Sequence, residues 1–321
     1  MDLRLAVYQL ASANALDAQQ TRQLQDVAGF QREPARLAYW LPRGVAVLGA
    51  ALLGMGLICW VAANWEDLGR MGRFALLQGV FAATCLGAFA VPKARVPLLL
   101  LALLSIGGLF AYFGQTYQTG ADPWQLFALW AVLALPLCLV ARSDVLWTPW
   151  MLVLATAAAL WMQAHAHNSW RIDSADLSIF ISGWLVVLAA CAFVSPLLAR
   201  WTGAGNWALR LGLVLATILI TGTAVSALFG NNLESPYWAG LGLLAVASVL
   251  LSTRTLFDVF GLSAVALGLN TLLVGGLARA LLSGGGNGDG VGRLAMLGLF
   301  AAVLLALTVQ GILWRTRQEE A

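Results

Sequence analysis

Ten apolar runs, each close to the length that crosses a bilayer, are strung along this chain with short polar joints between them. A span needs about 20 mostly apolar residues. By that measure the runs are Gly44–Ala63, Phe74–Val91, Val96–Gly114, Trp124–Ala141 and Val145–Met162, then Leu177–Ala199, Ala208–Phe229, Tyr237–Ser252, Val259–Leu282 and Leu294–Trp314. The eighth is short, and the fifth carries Pro149 near its start. The pattern predicts an all-α fold, a polytopic transmembrane helix bundle of about ten spans.

Residues 1–43 read differently. Leu3, Val7 and Leu10 share one helical face, and Asp17 with Gln20 has the spacing of a capping box that opens a second short helix towards Gly29. After Pro34, Tyr39 and Trp40 stand beside Arg36 and Arg43, which suits a helix lying among headgroups. This predicts a short cytoplasmic N-terminal helical segment with an interfacial helix over 1–43, a bundle over 44–314 and a cytoplasmic tail over 315–321. The first segment is too small to bury a core of its own. It is expected to dock on cytoplasmic loops, the alternative being a site for a protein partner. No continuous apolar stretch precedes Gly44, so the first span is expected to serve as an uncleaved signal anchor.

Composition removes the soluble classes. Hydrophobic residues make up 60% of the chain and charged residues 10%, against about 25% charged in soluble domains, so the lipid bilayer must be the solvent for most of the chain. The net charge of +3 is scattered through short joints, which argues against nucleic acid as a partner.

The basic residues also predict orientation. With ten spans and a cytoplasmic N-terminus, Arg4, Arg22, Arg32, Arg36, Arg43, Lys93, Arg95, Arg142, Arg200, Arg210, Arg254, Arg315 and Arg317 fall inside, and only Arg70, Arg73, Arg171, Arg279 and Arg293 outside. That bias puts both termini in the cytoplasm. Tryptophans at run ends, among them Trp147, Trp201, Trp207, Trp238 and Trp314, read as interfacial anchors. Cys59, Cys85, Cys138 and Cys191 lie inside the runs and read as small buried hydrophobes.

No Asp, Glu or Lys sits at mid-depth of any run, which counts against a proton-coupled pump. Gln78, Thr84, Ser105, Thr217, Thr221, Thr223, Asn270, Thr271 and Gln310 are the polar residues there, expected to bond neighbouring helices, with Asn270 the most capable. Ala50, Gly54, Gly107 and Ala111 offer small-residue surfaces that fit either internal packing or a dimer.

Candidate chemistry gathers at the predicted outer face. GQTYQTGADPW, Gly114 to Trp124, is the densest polar-aromatic stretch, and the joint after the first run adds Asn64, Trp65 and Glu66. The candidate ligand-binding residues are therefore Asn64, Trp65, Glu66, Gln115, Tyr117, Gln118, Asp122 and Trp124. Pro123 turns Asp122 away from helix, and Gly120 permits a positive φ, so a tight turn capped by Asp122 is expected. Two readings stay open for the cluster. Its amides and carboxylates cap helix ends, or they line an outward-facing cleft that holds a polar molecule or a lipid headgroup. Carboxylates such as Glu66 and Asp122 are of the type that acid/base work uses, although nothing in the sequence shows that they converge. No nucleophile–base pair accompanies them, so no catalytic residue is assigned. His165 and His167 form the only HAH, too few ligands for a closed metal site, and no metal or cofactor is expected. The Gly284–Gly290 tract lacks the flanks of a phosphate loop and reads as a flexible outer turn.

Two blocks, LGAALLGMGLICWVAANWEDLGRMGR and YFGQTYQTGADPWQLFALWAVLALP, resemble the bacterial family of membrane proteins named domain of unknown function 2157. The resemblance runs to about Leu160 and includes the helical segment ahead of the first span. It implies a bacterial inner-membrane location and brings no catalytic or binding residues. The expected function is to bind or move a small polar or lipidic molecule through an outward-facing cleft. The alternative is a membrane scaffold or sensor acting through its N-terminal cytoplasmic helices.

Overall fold

The computed structural model describes residues 3–27, 35–64, 69–117, 122–166, 176–229, 235–253, 255–282 and 290–320. Among them every regular element is a helix: α1 (Leu3–Ala13), α2 (Ala18–Val27), α3 (Ala35–Ala63), α4 (Arg70–Ala90), α5 (Arg95–Tyr117), α6 (Pro123–Ala141), α7 (Asp144–His165), α8 (Leu177–Phe193), α9 (Ala199–Thr202), α10 (Asn206–Ser226), α11 (Ser235–Leu251), α12 (Val259–Leu282) and α13 (Gly290–Glu320), with single 3₁₀ turns between some of them. All ten apolar runs are helical. The capping box before α2 is formed, with the Asp17 N–H donating to Gln20 Oε1 at 3.1 Å.

The count of spans is corrected. Among the described residues seven helices are long and apolar enough to cross a membrane, or eight if α8 and Pro196–Thr202, bent by 50° at the break, are one span. The apolar helix α11, Ser235–Leu251, falls short; at 1.5 Å per residue it is about 25 Å long, less than a hydrocarbon core of about 30 Å.

α10 is the centre of the bundle, packed on α7, α8, α11 and α12, while α5 joins α3 and α4 to α6 and α7. The main core is continuous and includes Leu103, Trp147, Met151, Trp184, Ile220, Leu244 and Leu272. α13 is the outlier, packing on α12 with none of its apolar window buried. Cross-bonds define two ends. At one, the Asp144 end, the starts of α7, α10 and α12 meet; at the other, the knot end, α6 begins beside the end of α7.

Tryptophan is a rivet here as often as an anchor. Trp147, fully buried, donates its indole N–H to Thr202 O at 2.8 Å, which corrects its placement in the interfacial belt. Trp150 bonds Ala131 O and Trp130 bonds Leu103 O, so three indoles tie α5, α6, α7 and α9 together through backbone carbonyls. Trp201, Trp207, Trp238 and Trp314 are exposed, as belt residues should be.

The mid-span hydroxyls are corrected in the same way. Thr84, Ser105, Thr217, Thr223 and Thr271 bond carbonyls three or four residues back in their own helices and glue nothing across. Thr221 Oγ1 has no partner among the described residues, whereas Asn270 does reach across, donating to Thr308 Oγ1 of α13 at 3.0 Å. Asn270→Val is expected to lower stability by about 1 kcal/mol and to raise hydrogen exchange in α13 above that in α10; equal exchange in the two helices would show that the bond does not hold α13. Gly54 and Gly107 face Leu101 and Leu104 and the Trp130 ring, so their small-residue surfaces serve internal packing. Cys138 and Cys191 are buried, but Cys59 is exposed on α3, contrary to expectation.

Charges at the helix ends close backbone ends. Arg142 donates to Arg200 O at 2.7 Å, Arg315 to Ser252 O at 2.8 Å, and Arg279 to Leu228 O, each at the C-terminal end of a neighbouring helix. Asp144 performs the opposite service for α10. Its Oδ1 accepts from the N–H groups of Gly205 and Ala208, both at 3.0 Å, and its Oδ2 from Trp207 at 2.8 Å.

Asp258 caps the first turn of α12 through Gly261 N–H at 2.8 Å and pairs with Arg210 at 2.6 Å. Burial alone raises this carboxyl, but the hydrogen bonds from Arg210 and Gly261 and the Arg210 charge outweigh it and hold Asp258 below the usual carboxylate range. Because the folded value is depressed, its contribution is whole above the unfolded value of about 3.9 and is lost as pH falls through the folded one. The stability gap between wild type and Asp258→Asn should therefore be flat near neutrality and close in acid. A gap that widens as pH falls would contradict this.

Candidate functional site

The structure brings only part of the predicted cluster into view. α5 continues through Gly114, Gln115 and Tyr117, and α6 starts at Pro123, so the knot is largely two helix ends. Gln115 and Tyr117 belong by backbone to the last turn of α5; Trp65, Glu66 and Gln118 lie outside the described residues, as do Gly120, His167, Arg254 and Gly284. The Glu66–Asp122 pairing therefore falls outside them too. Asn64 donates its amide to Trp60 O at 2.9 Å and closes the end of α3, a structural role.

Asp122 occupies the N-cap position of α6 with the extended backbone that Pro123 imposes, but its side chain makes no capping bond. That corrects the expected cap. The carboxylate Oδ2 instead receives the Trp124 indole N–H at 3.4 Å.

Trp124 belongs to an aromatic group absent from the sequence reading. Its ring meets His165 edge-on at 5.8 Å, and His165 lies 4.9 Å from Trp161, one turn back on α7. His165 Nδ1 is 2.9 Å from Trp161 O. A carbonyl can only accept, so Nδ1 carries the proton, and in the neutral ring Nε2 is left as an acceptor. The i, i+4 spacing of Trp161 and His165 was the available signal.

Beneath these rings a slot of about 250 Å³ runs between α6, α7 and α8. Trp124 and Trp161 flank it, and its walls are Leu154, Val186 and small side chains, among them Ala128, Ala158, Ser182 and Gly183. The Met162 side chain packs against Gly183, where a Cβ would strike it, and separates the slot from a second cleft of about 280 Å³ edged by Gln163, Thr223 and Ser226. On the other side of α6 a crevice of about 460 Å³ is lined by Phe74, Phe81, Phe110 and Phe113, with Gln78 its one amide. At the start of α4 the Arg73 guanidinium stands 6.0 Å from the Tyr112 ring centroid. The knot end is thus a set of apolar crevices with aromatic and amide rims. Among the described residues no group of three His, Cys, Asp or Glu side chains could hold a metal ion.

Fold and composition define an all-α polytopic membrane protein whose surface contacts the lipid bilayer. Residues 8–147 match the family described as predicted membrane protein, domain of unknown function 2157. The resemblance read from the two sequence blocks is thereby shown, and the matched segment ends in the first turn of α7. No curated protein and no solved structure matches the chain.

Proposed function

We propose that this protein binds a lipidic molecule at its knot end, with an apolar tail in the slot between α6, α7 and α8 and a polar head beside Trp124 and His165. The observation that carries this reading is the pairing of small-residue walls with a Trp124–His165–Trp161 rim. The walls admit a chain and offer it little but hydrocarbon, whereas a small polar ligand would find Ser182 as its one side-chain partner below the rim. At the rim, Asp122, the Trp124 indole and His165 Nε2 supply the polar groups an amphiphile's head requires. Asp122 and Trp124 keep their candidate roles at this rim, and Asn64 stands apart from it at the end of α3.

The charge bias places the knot end outside, with both termini in the cytoplasm of a bacterial cell and the bundle in its inner membrane. The gathering of Arg142, Arg200, Arg210 and Arg315 at the Asp144 end supports that assignment. A scaffold role for residues 1–43 is the second reading, supported by the preformed α1–α2 pair with its capping box and the buried Val7.

Ala128→Leu fills the slot from one wall. Native mass spectrometry of the protein released from nanodiscs should show bound lipid retained by wild type and lost, by tenfold or more, in the variant. Equal retention would refute the slot as the site. Deleting residues 1–33 should leave lipid retention unchanged, and loss of retention there would shift the argument to the N-terminal helices.

A further inference from the structure

We propose that the crevice between α4, α5 and α6 binds a lipid-soluble phenol, a neutral aromatic alcohol with an aliphatic tail, through the side-chain amide of Gln78. This crevice lies across α6 from the slot above and is independent of that site. It encloses about 460 Å³ between Phe74, Gln78 and Phe81 of α4, Phe110 and Phe113 of α5, and the leucines of α6, Leu129 among them.

Gln78 is the residue that points to a ligand. It stands within about 4 Å of the midpoint of the candidate span Met71–Ala90, at 1.5 Å per residue. Its side chain is exposed, and its amide has no hydrogen-bond partner among the described residues. Other polar side chains inside the spans are served: Thr84, two turns on, bonds Val80 O of its own helix, and Asn270 reaches Thr308. Hydrocarbon tails filling the crevice would leave the Gln78 amide unpaired at mid-membrane depth, which is unfavourable for any amide. An apolar concavity with one well-placed polar group is instead the usual form of a small-molecule pocket.

The walls set the class of molecule. Four phenyl rings from two helices line the crevice, and aromatic rings gain from edge-on and offset contacts beyond the area they bury. The amide carries both a donor and an acceptor, so a hydroxyl can give to its oxygen or take from its nitrogen, whereas a ketone can only take. Among the described residues no charged side chain lines the crevice, so a carboxylate or ammonium would be buried there without a counter-charge. Size agrees with this choice. An apolar cavity of about 150 Å³ holds benzene, and the crevice has room for a ring and part of a chain.

The full chain, labelled with ¹⁵N at its glutamine amides and held in nanodiscs, is titrated with para-nonylphenol and, separately, with nonylbenzene and nonanol. The Gln78 amide resonances, assigned as those missing from Gln78→Met, should shift saturably with the phenol and not with nonylbenzene. Half-saturation with nonanol, which lacks the ring, should need roughly threefold more ligand or beyond. Calorimetric titration, corrected with empty nanodiscs for partition into lipid, should show phenol affinity lowered roughly threefold to tenfold in Gln78→Met. Leu129 is 47% exposed, so Leu129→Trp can fill the crevice, and it should abolish the shift with the Gln78 resonances still present. An unmoved Gln78 amide, an equal response to nonylbenzene or nonanol, undiminished affinity in Gln78→Met, or a phenol shift that survives Leu129→Trp would each overturn the inference. So would a dimer in nanodiscs that Gln78→Met dissociates, because the amide would then serve a second copy of the chain.

Discussion

Asp144→Ala is expected to lower the stability of the bundle by about 3 kcal/mol, the largest effect of any single polar substitution here. The reason is where its carboxylate goes. Gly205 stands at the N-cap of α10 and has no side chain to cap with, so the orphan N–H groups of that helix are served from α7 instead. One carboxylate satisfies three of them, bears the negative charge that a helix N-terminus favours, and sits in the first turn of its own helix, where the same preference applies. Removing it orphans three donors of the central helix at once. Asp144→Asn keeps one acceptor oxygen and should fall midway. Unfolding in mixed micelles of increasing dodecyl sulfate content measures both, and a loss under about 1 kcal/mol for Asp144→Ala would show that water or lipid headgroups replace the carboxylate.

Gly107→Leu is the second. A Cβ at 107 would overlap the six-membered ring of Trp130, and that ring is held by its own N–H bond to Leu103 O at 2.9 Å. A rigid, bonded ring cannot step aside as a methionine would, so the α5–α6 contact must open. The expected cost is about 3 kcal/mol from overpacking, with the Trp130 indole bond broken. Gly242→Leu, with open space at its Cβ, is the matched control and should cost little. Similar losses for both in the same titration would mean that glycine itself, not the Trp130 contact, is at stake.

Helices were legible in the sequence because lipid removes every competing solution; an apolar run of such length has to be a helix. What pairs with what was not. Trp147 and Trp201 look alike as residues near run ends, yet one is buried on Thr202 O and the other is 76% exposed. The difference is set by α9, a single turn of helix that folds back under the bend after α8. Asp144 passed as an ordinary joint residue for the same reason: its partners lie some sixty positions away. The mid-span hydroxyls misled because threonine and serine in a helix can satisfy themselves on the preceding turn. At the candidate site, Trp124 and Asp122 were picked out as polar-aromatic residues of a joint, while Trp161 and His165 sat on the next helix and were read only as chain and metal candidate. Their stacking depends on the α6–α7 packing that the Trp150 indole bond to Ala131 O helps to fix.

The central claim is that the slot between α6, α7 and α8 holds a lipid tail, and photolabelling tests it most directly. Wild-type protein in nanodiscs containing a phospholipid with a diazirine midway along one acyl chain is irradiated and the labelled peptides are mapped. α13, none of whose apolar window is buried, reports on bulk lipid within the same sample. The slot reading predicts labelling concentrated on Ala128, Leu154 and Val186, severalfold above α13, and returned to the α13 level by Ala128→Leu. Labelling of α13 equal to or above that of the slot in wild-type protein would contradict it.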